Sequence, residues 1–196
     1  MTVQLVLATH NAHKVDELRR ILGDRLDGIE LIGYDGPEPV EDGDTFEANA
    51  LIKARAAAAH TGLAAIADDS GISATALGGA PGIHSARYAG TRDDRDNLEL
   101  LLANLSGVSD RSGWFSCAAA LVVGDVEHVE LGIWPGAVLN EAAGVGGFGY
   151  DPIFQPEGLS VSAAELSADE KNAVSHRARA FEAIMPVVRA NLLGAN

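Results

Sequence analysis

Residues 3–22 read VQLVLATHNAHKVDELRRIL, and the architecture turns on them. The run at 3–8 is short, apolar and rich in β-branched residues, the pattern of a buried strand. After a polar turn at 9–13, Val15, Leu18, Ile21 and Leu22 recur at helical spacing on one face. A second apolar run follows at 29–32. Strand, helix and strand in that order predict a parallel β-α-β unit, and so an α/β protein.

Working outward, residues 35–44 (DGPEPVEDGD) form an acidic loop punctuated by Gly and Pro. Asp44 and Glu47 have capping-box spacing and predict an Ala-rich helix to about residue 59. Residues 63–67 predict a strand ending at Asp68-Asp69-Ser70-Gly71, with a further strand at 72–76. A helix at 93–105 turns Leu98, Leu101, Leu102 and Leu105 inward. Runs at 114–123 and 126–134 flank Gly124-Asp125, a hairpin signal. Residues 144–152 are a glycine-rich loop. Ser167 and Glu170 make another capping box, and the last helix carries Phe181, Ile184, Val187 and Val188. No repeat or linker divides the chain, so one α/β unit is expected, with room for a cleft between two lobes.

Composition bounds the function. The 196 residues suit a single domain, and 47% hydrophobic against 21% charged residues excludes global disorder. Asp and Glu number 28 against 14 Lys and Arg, a net charge of −14. That excludes the extended basic face that nucleic acids or anionic membranes require. The single cysteine, Cys117, staples nothing, which points to the reducing cytoplasm. The N-terminal apolar run is too short for a signal peptide or a membrane span. Only three of the basic residues are lysines, Lys14, Lys53 and Lys171. Lysine is a compact point charge where arginine is a planar fork, so these positions merit tracking.

Several motifs carry chemistry. Gly144-Val-Gly-Gly-Phe-Gly149 is a literal G-x-G-x-x-G, but Tyr150-Asp151-Pro152 follows where a dinucleotide fold needs a helix. What remains is a flexible loop, or backbone that approaches a ligand closely, with Phe148 or Tyr150 to stack on. There is no P-loop, Gly-x-Ser-x-Gly elbow, His-Glu-x-x-His or Cys/His cluster. Asp68 and Asp69 follow an apolar strand, where α/β folds place ligand crevices. Adjacent side chains of an extended chain point to opposite sides, and carboxylates of this kind suit Mg²⁺. The alternative is a strand-end turn in which Asp69 and Ser70 cap local amides. Thr9 to Lys14 opens a helix, and free amides plus a lysine make an anion cradle. Lys14 and Lys53 also suit plain helix surface. Lys171, His176 and Arg177 form a second basic knot.

Taken in order, seven blocks resemble the inosine triphosphate pyrophosphatase family: LATHNAHK (7–14), GDTFEANALIKA (43–54), AIADDSG (65–71), LGGAPGIHSARYAG (77–90), WPG (134–136), GGFGYDPIF (146–154) and EKNAVSHR (170–177). Together they span essentially the whole chain and contain all three lysines. The resemblance implies an α/β fold of the ITPase-like, anticodon-Maf type: a mixed central sheet flanked by helices, two lobes around a substrate cleft, one domain over 1–196. It implies a cytoplasmic homodimer that uses Mg²⁺ to hydrolyse non-standard purine nucleoside triphosphates (ITP, dITP, XTP) to the monophosphate and pyrophosphate, keeping them out of DNA and RNA. Neither nucleic acid nor membrane is a partner in that scheme.

By the same resemblance, Asp69 is proton acceptor and metal ligand, Asp68 supports it, Lys14 joins the catalytic set, and Glu41 completes the metal site. Thr9, His10, Asn11, Ala12, His13, Lys14, Lys53 and Ser70 would hold the triphosphate. Phe148, Gly149, Tyr150, Asp151, Lys171, His176 and Arg177 would enclose base and sugar. Two departures stand out. His10 replaces the Gly, Ser or Arg common in the family, and Val40-Glu41-Asp42 stands where many members begin with two glutamates, so Asp42 competes with Glu41 for the metal role. Against the pyrophosphatase stand a non-catalytic nucleotide binder, which has no need of the Asp68-Asp69 pair, and a phosphatase, whose product would be orthophosphate.

Overall fold

In a computed structural model, which describes residues 2–10 and 12–194, the opening segment is the expected β-α-β unit. Strand β1 (Val3–Leu7) and strand β2 (Ile29–Gly33) run parallel, Val3 opposite Ile29 and Leu7 opposite Gly33, with helix α1 (Ala12–Leu22) between them in sequence. Helix α2 (Phe46–Thr61) begins one residue later than the Asp44 capping box predicts. Thr45 has the extended backbone that a cap requires, and its hydroxyl accepts from the Ala48 N–H at 3.1 Å.

The main departure is strand β3 (Ala64–Ala74), which runs unbroken through Asp68-Asp69-Ser70-Gly71 where two separate strands are expected. Gly71 serves close approach instead of chain reversal. A Cβ there would lie 2.4 Å from Ser85 Oγ and 2.5 Å from the Gly82 carbonyl. The Ile72 N–H donates to Ser85 Oγ at 2.9 Å, so the 82–87 turn packs directly on the strand.

Helix α3 (Asp94–Asn104) is capped by the Asp93 carboxylate, which accepts from the Arg95 and Asp96 N–H groups at 2.9 and 3.1 Å. Strands β4 (Ser112–Val123) and β5 (Val126–Val138) flank Gly124-Asp125 and are longer than predicted. Strand β6 (Phe154–Pro156), antiparallel to β5, is too short to announce itself by periodicity. The Ser167/Glu170 capping box opens helix α4 (Ala168–Val174) as expected. Extended backbone at Ser175 then separates it from helix α5 (His176–Leu193). The sheet order is β2-β1-β3-β4-β5-β6, parallel across β2-β1-β3 and antiparallel at β5-β6, the mixed α/β arrangement anticipated.

The chain divides into two compact units. The first takes the residues up to Asp69, Cys117–Gly132 and those from Arg177 on; the second takes Ser70–Ser116 and Ile133–His176. Leu5, Leu18, Leu22, Ile66, Leu121 and Phe181 are fully buried in the first. A second patch there is built of alanines, with Ala50 and Ala54 of α2 clustered with Ala67, Ala118 and Ala120. Side chains this small let α2 approach the sheet closely, which brings Lys53 to Asp69. In the second unit Ile72, Leu101, Leu105, Ile153 and Phe154 are fully buried. Among the described residues, no helix is long and apolar enough to cross a membrane.

Candidate active site

Neighbouring positions on β3 alternate faces, and the two aspartates have different partners accordingly. Asp68 is buried, at 6% exposure. Lys14 Nζ, from the first turn of α1, lies 3.5 Å from its Oδ1. Arg177, from the first turn of α5, donates to its Oδ2 through Nη2 at 3.1 Å and Nε at 3.3 Å. Arg177 is itself 3% exposed and also donates to Glu17 at 3.3 Å, one helical turn beyond Lys14. Burial alone would push the Asp68 carboxyl up, but Lys14, Arg177 and Lys53 overcome it and hold the group well below the usual carboxylate range. Asp68 is therefore a fixed anion.

Asp69 is treated in the opposite way. Lys53 Nζ donates to Asp69 Oδ1 at 3.2 Å and to Glu41 Oε2 at 3.1 Å. Burial raises the Asp69 carboxyl and Lys53 opposes it; Glu41 adds to the rise, and a hydrogen bond with Asn49 subtracts from it. A carboxylate with a raised proton affinity is the better proton acceptor, provided it remains ionised at working pH. Asn49 escaped the sequence reading. It is 2% exposed, and its Oδ1 accepts from the Gly43 N–H at 2.9 Å, which ties the acidic loop to α2. A polar residue one helical turn before Lys53, on the alanine face, was the available signal.

Thr9, His10, Lys14, Glu41, Lys53 and Asp68 line one cavity of about 150 Å³ in the first unit, together with Tyr34 and Glu38, which sequence reasoning did not single out. Asn11 lies outside the described residues, and Ala12 and His13 are the opening residues of α1. Ser70 follows Asp69 on β3 and starts the second unit. Asp42 is exposed, and it is Glu41 that reaches Lys53. The Glu41 and Asp69 carboxylates converge on the Lys53 ammonium and offer an oxygen-only donor pair. Such a pair suits Mg²⁺, which takes one or two carboxylates and completes its shell with water and phosphate oxygens. Among the described residues, no group of three or more His, Cys, Asp or Glu is placed to hold a metal, so a site enclosed wholly by protein does not fit.

In the second unit, the Lys171 ammonium pairs with the buried Asp151 carboxylate and lies 4.6 Å from the centre of the half-exposed Phe148 ring. Asp151 also accepts from the Phe148 N–H at 2.8 Å, which fixes the ring's backbone. Gly147 makes this possible: its φ is +69°, and a Cβ would fall 2.2 Å from Asp151 Oδ2. The Gly149 N–H donates to Asp94 at 2.9 Å. Tyr150 is 5% exposed and donates its hydroxyl to the Ser85 carbonyl at 2.8 Å, so its ring is built into the core. His176 is buried and stacks on Phe115, with centroids 4.6 Å apart. The basic knot read from sequence thus resolves into separate engagements: Lys171 with Asp151, His176 with Phe115, Arg177 with Asp68. A larger groove of about 620 Å³ in the same unit, lined by Trp114, Ile133 and Pro135 among others, lacks convergent charge.

The sequence model of the Ham1 family matches residues 5–187 of the chain. The chain belongs to the Ham1 family. A curated relative from Leifsonia xyli, named dITP/XTP pyrophosphatase, is 58% identical over 193 residues, covering 96% of each chain. A Streptomyces coelicolor protein of the same name is 52% identical, over 97% of this chain and 99% of its own. Among solved structures, a HAM1 protein from Coxiella burnetii superposes with a TM-score of 0.88 at 41% identity, covering 95% of this chain and 98% of that one. This Ham1 protein therefore carries its family's resemblance along nearly its whole length, including every residue that lines the 150 Å³ cavity.

Proposed function

We propose that this Ham1 protein hydrolyses non-standard purine nucleoside triphosphates, namely ITP, dITP and XTP, to the monophosphate and pyrophosphate. In this reading it acts as a single domain over residues 1–196 and as a cytoplasmic homodimer, clearing such nucleotides before they enter DNA or RNA. Its partner is the small-molecule triphosphate, with no role for nucleic acid or membrane. One observation carries the proposal: adjacent carboxylates on β3 are held by different cations, Asp68 by Lys14 and Arg177 and Asp69 by Lys53, beside a cavity that Lys14, Lys53, Glu41 and Asp68 line. Carboxylates set in different surroundings take different parts, one fixed by its cations and one left to accept a proton.

Thr9, Lys14, Lys53 and Ser70 bind the triphosphate, the α1 N-terminus and the two lysines supplying positive charge. Asp68, held ionised, fixes Lys14 and Arg177 in place. Asp69 orients the attacking water and takes its proton. Mg²⁺, held by Asp69 and Glu41, would supply neutralisation of the phosphate charge when bound. Phe148 offers an exposed face for the purine, and Lys171, aimed by Asp151, donates to it. Gly149, Tyr150 and His176 brace that region. A 6-oxo purine accepts from a donor where adenine presents its own amino donor, and rejection on a group left unpaired is worth orders of magnitude.

Asp69→Asn tests the assignment. With ITP and Mg²⁺, kcat should fall by about 10²–10⁴-fold, the worth of a general base, while the unfolding transition stays in place. Unaltered kcat would overturn the role given to Asp69.

A further inference from the structure

The acidic loop at 35–44 is fastened at several points. Tyr34 donates its hydroxyl to the Pro37 carbonyl at 3.1 Å, Asn49 accepts from the Gly43 N–H at 2.9 Å, and Glu41 meets Lys53. His10, the residue at which this chain departs from its family's pattern, makes two further ties. Its Nδ1 lies 3.0 Å from Glu38 Oε1, and its Nε2 lies 2.7 Å from the Gly36 carbonyl. Both partners are acceptors. A neutral imidazole has one N–H and satisfies one of them; only the imidazolium, with two, satisfies both. Gly36 is closely packed, since a Cβ there would lie 2.4 Å from the Tyr34 hydroxyl and 2.6 Å from His60. That packing holds its carbonyl in place toward His10.

We propose that His10 is a positioning residue that works as an imidazolium, clasping the acidic loop so that Glu41 is presented to the cavity, and that the clasp opens as pH rises. The positioning of Glu41 rests on reading that cavity as the triphosphate site; the clasp itself does not. The surroundings favour the charged ring. The Gly36 carbonyl first and Glu38 next, with Asp35 adding, hold the imidazolium above the ordinary histidine range. Lys14, Lys53, Glu41 and Asp68 share the 150 Å³ cavity with His10, and Asp16 and Arg19 of α1 share a second cavity of about 590 Å³ on which it also borders. Tyr34, 5.5 Å from the His10 ring, completes the wall.

The test compares substrate-free wild type, His10→Ala and His10→Arg. NMR titration of the ring proton absent from His10→Ala gives the His10 midpoint, expected above the ordinary value of about 6.5. Hydrogen exchange of the Gly43 amide, which donates to Asn49 Oδ1 at 2.9 Å, corrected for intrinsic rate, should quicken by about two- to fivefold through that midpoint, the range for an exposed ion pair. His10→Ala should exchange fast at every pH, and His10→Arg, a permanent multiple donor, should stay protected at every pH. The kcat/KM for ITP should fall in wild type with the same midpoint and hold level in His10→Arg. A midpoint at or below the ordinary value, or wild-type protection of the Gly43 amide in His10→Ala, would overturn the clasp. Loss of protection without any change in kcat/KM would overturn the positioning role. A wild type that protects the loop as described yet turns over no ITP would count against the pyrophosphatase reading and leave the clasp standing.

Discussion

Replacing Asp68 by Asn tests how the site is held together. The carboxylate is 6% exposed and answers two cations, Lys14 at 3.5 Å and Arg177 at 3.1 Å, the latter 3% exposed. The substitution keeps the shape and one acceptor oxygen but removes the balancing charge. Removing one partner of a buried ion pair costs about 3–5 kcal/mol. Glu17 stays beside Arg177 at 3.3 Å, which places the expected loss at the lower end, about 3 kcal/mol. Against a total stability of about 5–15 kcal/mol this is a large fraction. At roughly 2–4 °C per kcal/mol for a chain of this size, Tm should drop by about 6–12 °C. Because the folded Asp68 is held below its unfolded value, its contribution is present above about pH 4 and is lost as pH falls toward the folded value. Urea unfolding of the two proteins should therefore differ most at neutral pH and converge in acid. A difference under about 1 kcal/mol at pH 7, or one undiminished near pH 2, would refute the ion-pair account.

Two further outcomes follow from the same geometry. Lys53→Met removes the ammonium between Glu41 and Asp69, so the already raised Asp69 carboxyl should rise further, and the acid limb of the kcat/KM profile should move up by about 1 pH unit or more; an unmoved limb would show that Asp69 is not the titrating base. Gly147→Ala puts a Cβ at a φ of +69° and 2.2 Å from Asp151 Oδ2. The KM for ITP should rise about tenfold with little change in kcat, and more than for Gly149→Ala, which meets open space.

Local signals were legible where they sufficed. The β-α-β opening and the Ser167/Glu170 box appear where the chain writes them, because periodicity and capping act over a few residues. The Asp-Asp-Ser-Gly segment misleads because glycine serves both turns and close contacts; Gly71 is there for Ser85, a partner that local reading does not reveal. Asp44 and Thr45 were both acceptable caps, and backbone conformation chose Thr45. At the site, the block order named the residues but not their pairing. Arg177 stands 109 positions from Asp68, and only the packing of α5 and α1 in the first unit brings both helices' cations to one carboxylate. Tyr34, Glu38 and Asn49 were missed for the same reason, since their roles lie in what the acidic loop meets.

The central claim is a bond cleaved at one place in a triphosphate. Phosphorus NMR of ITP incubated with the wild-type protein and Mg²⁺ resolves the products directly. The account predicts IMP and pyrophosphate in equal amounts, with dATP and GTP turned over far more slowly and Asp69→Asn nearly inert. IDP and orthophosphate, or binding of ITP without turnover, would contradict it.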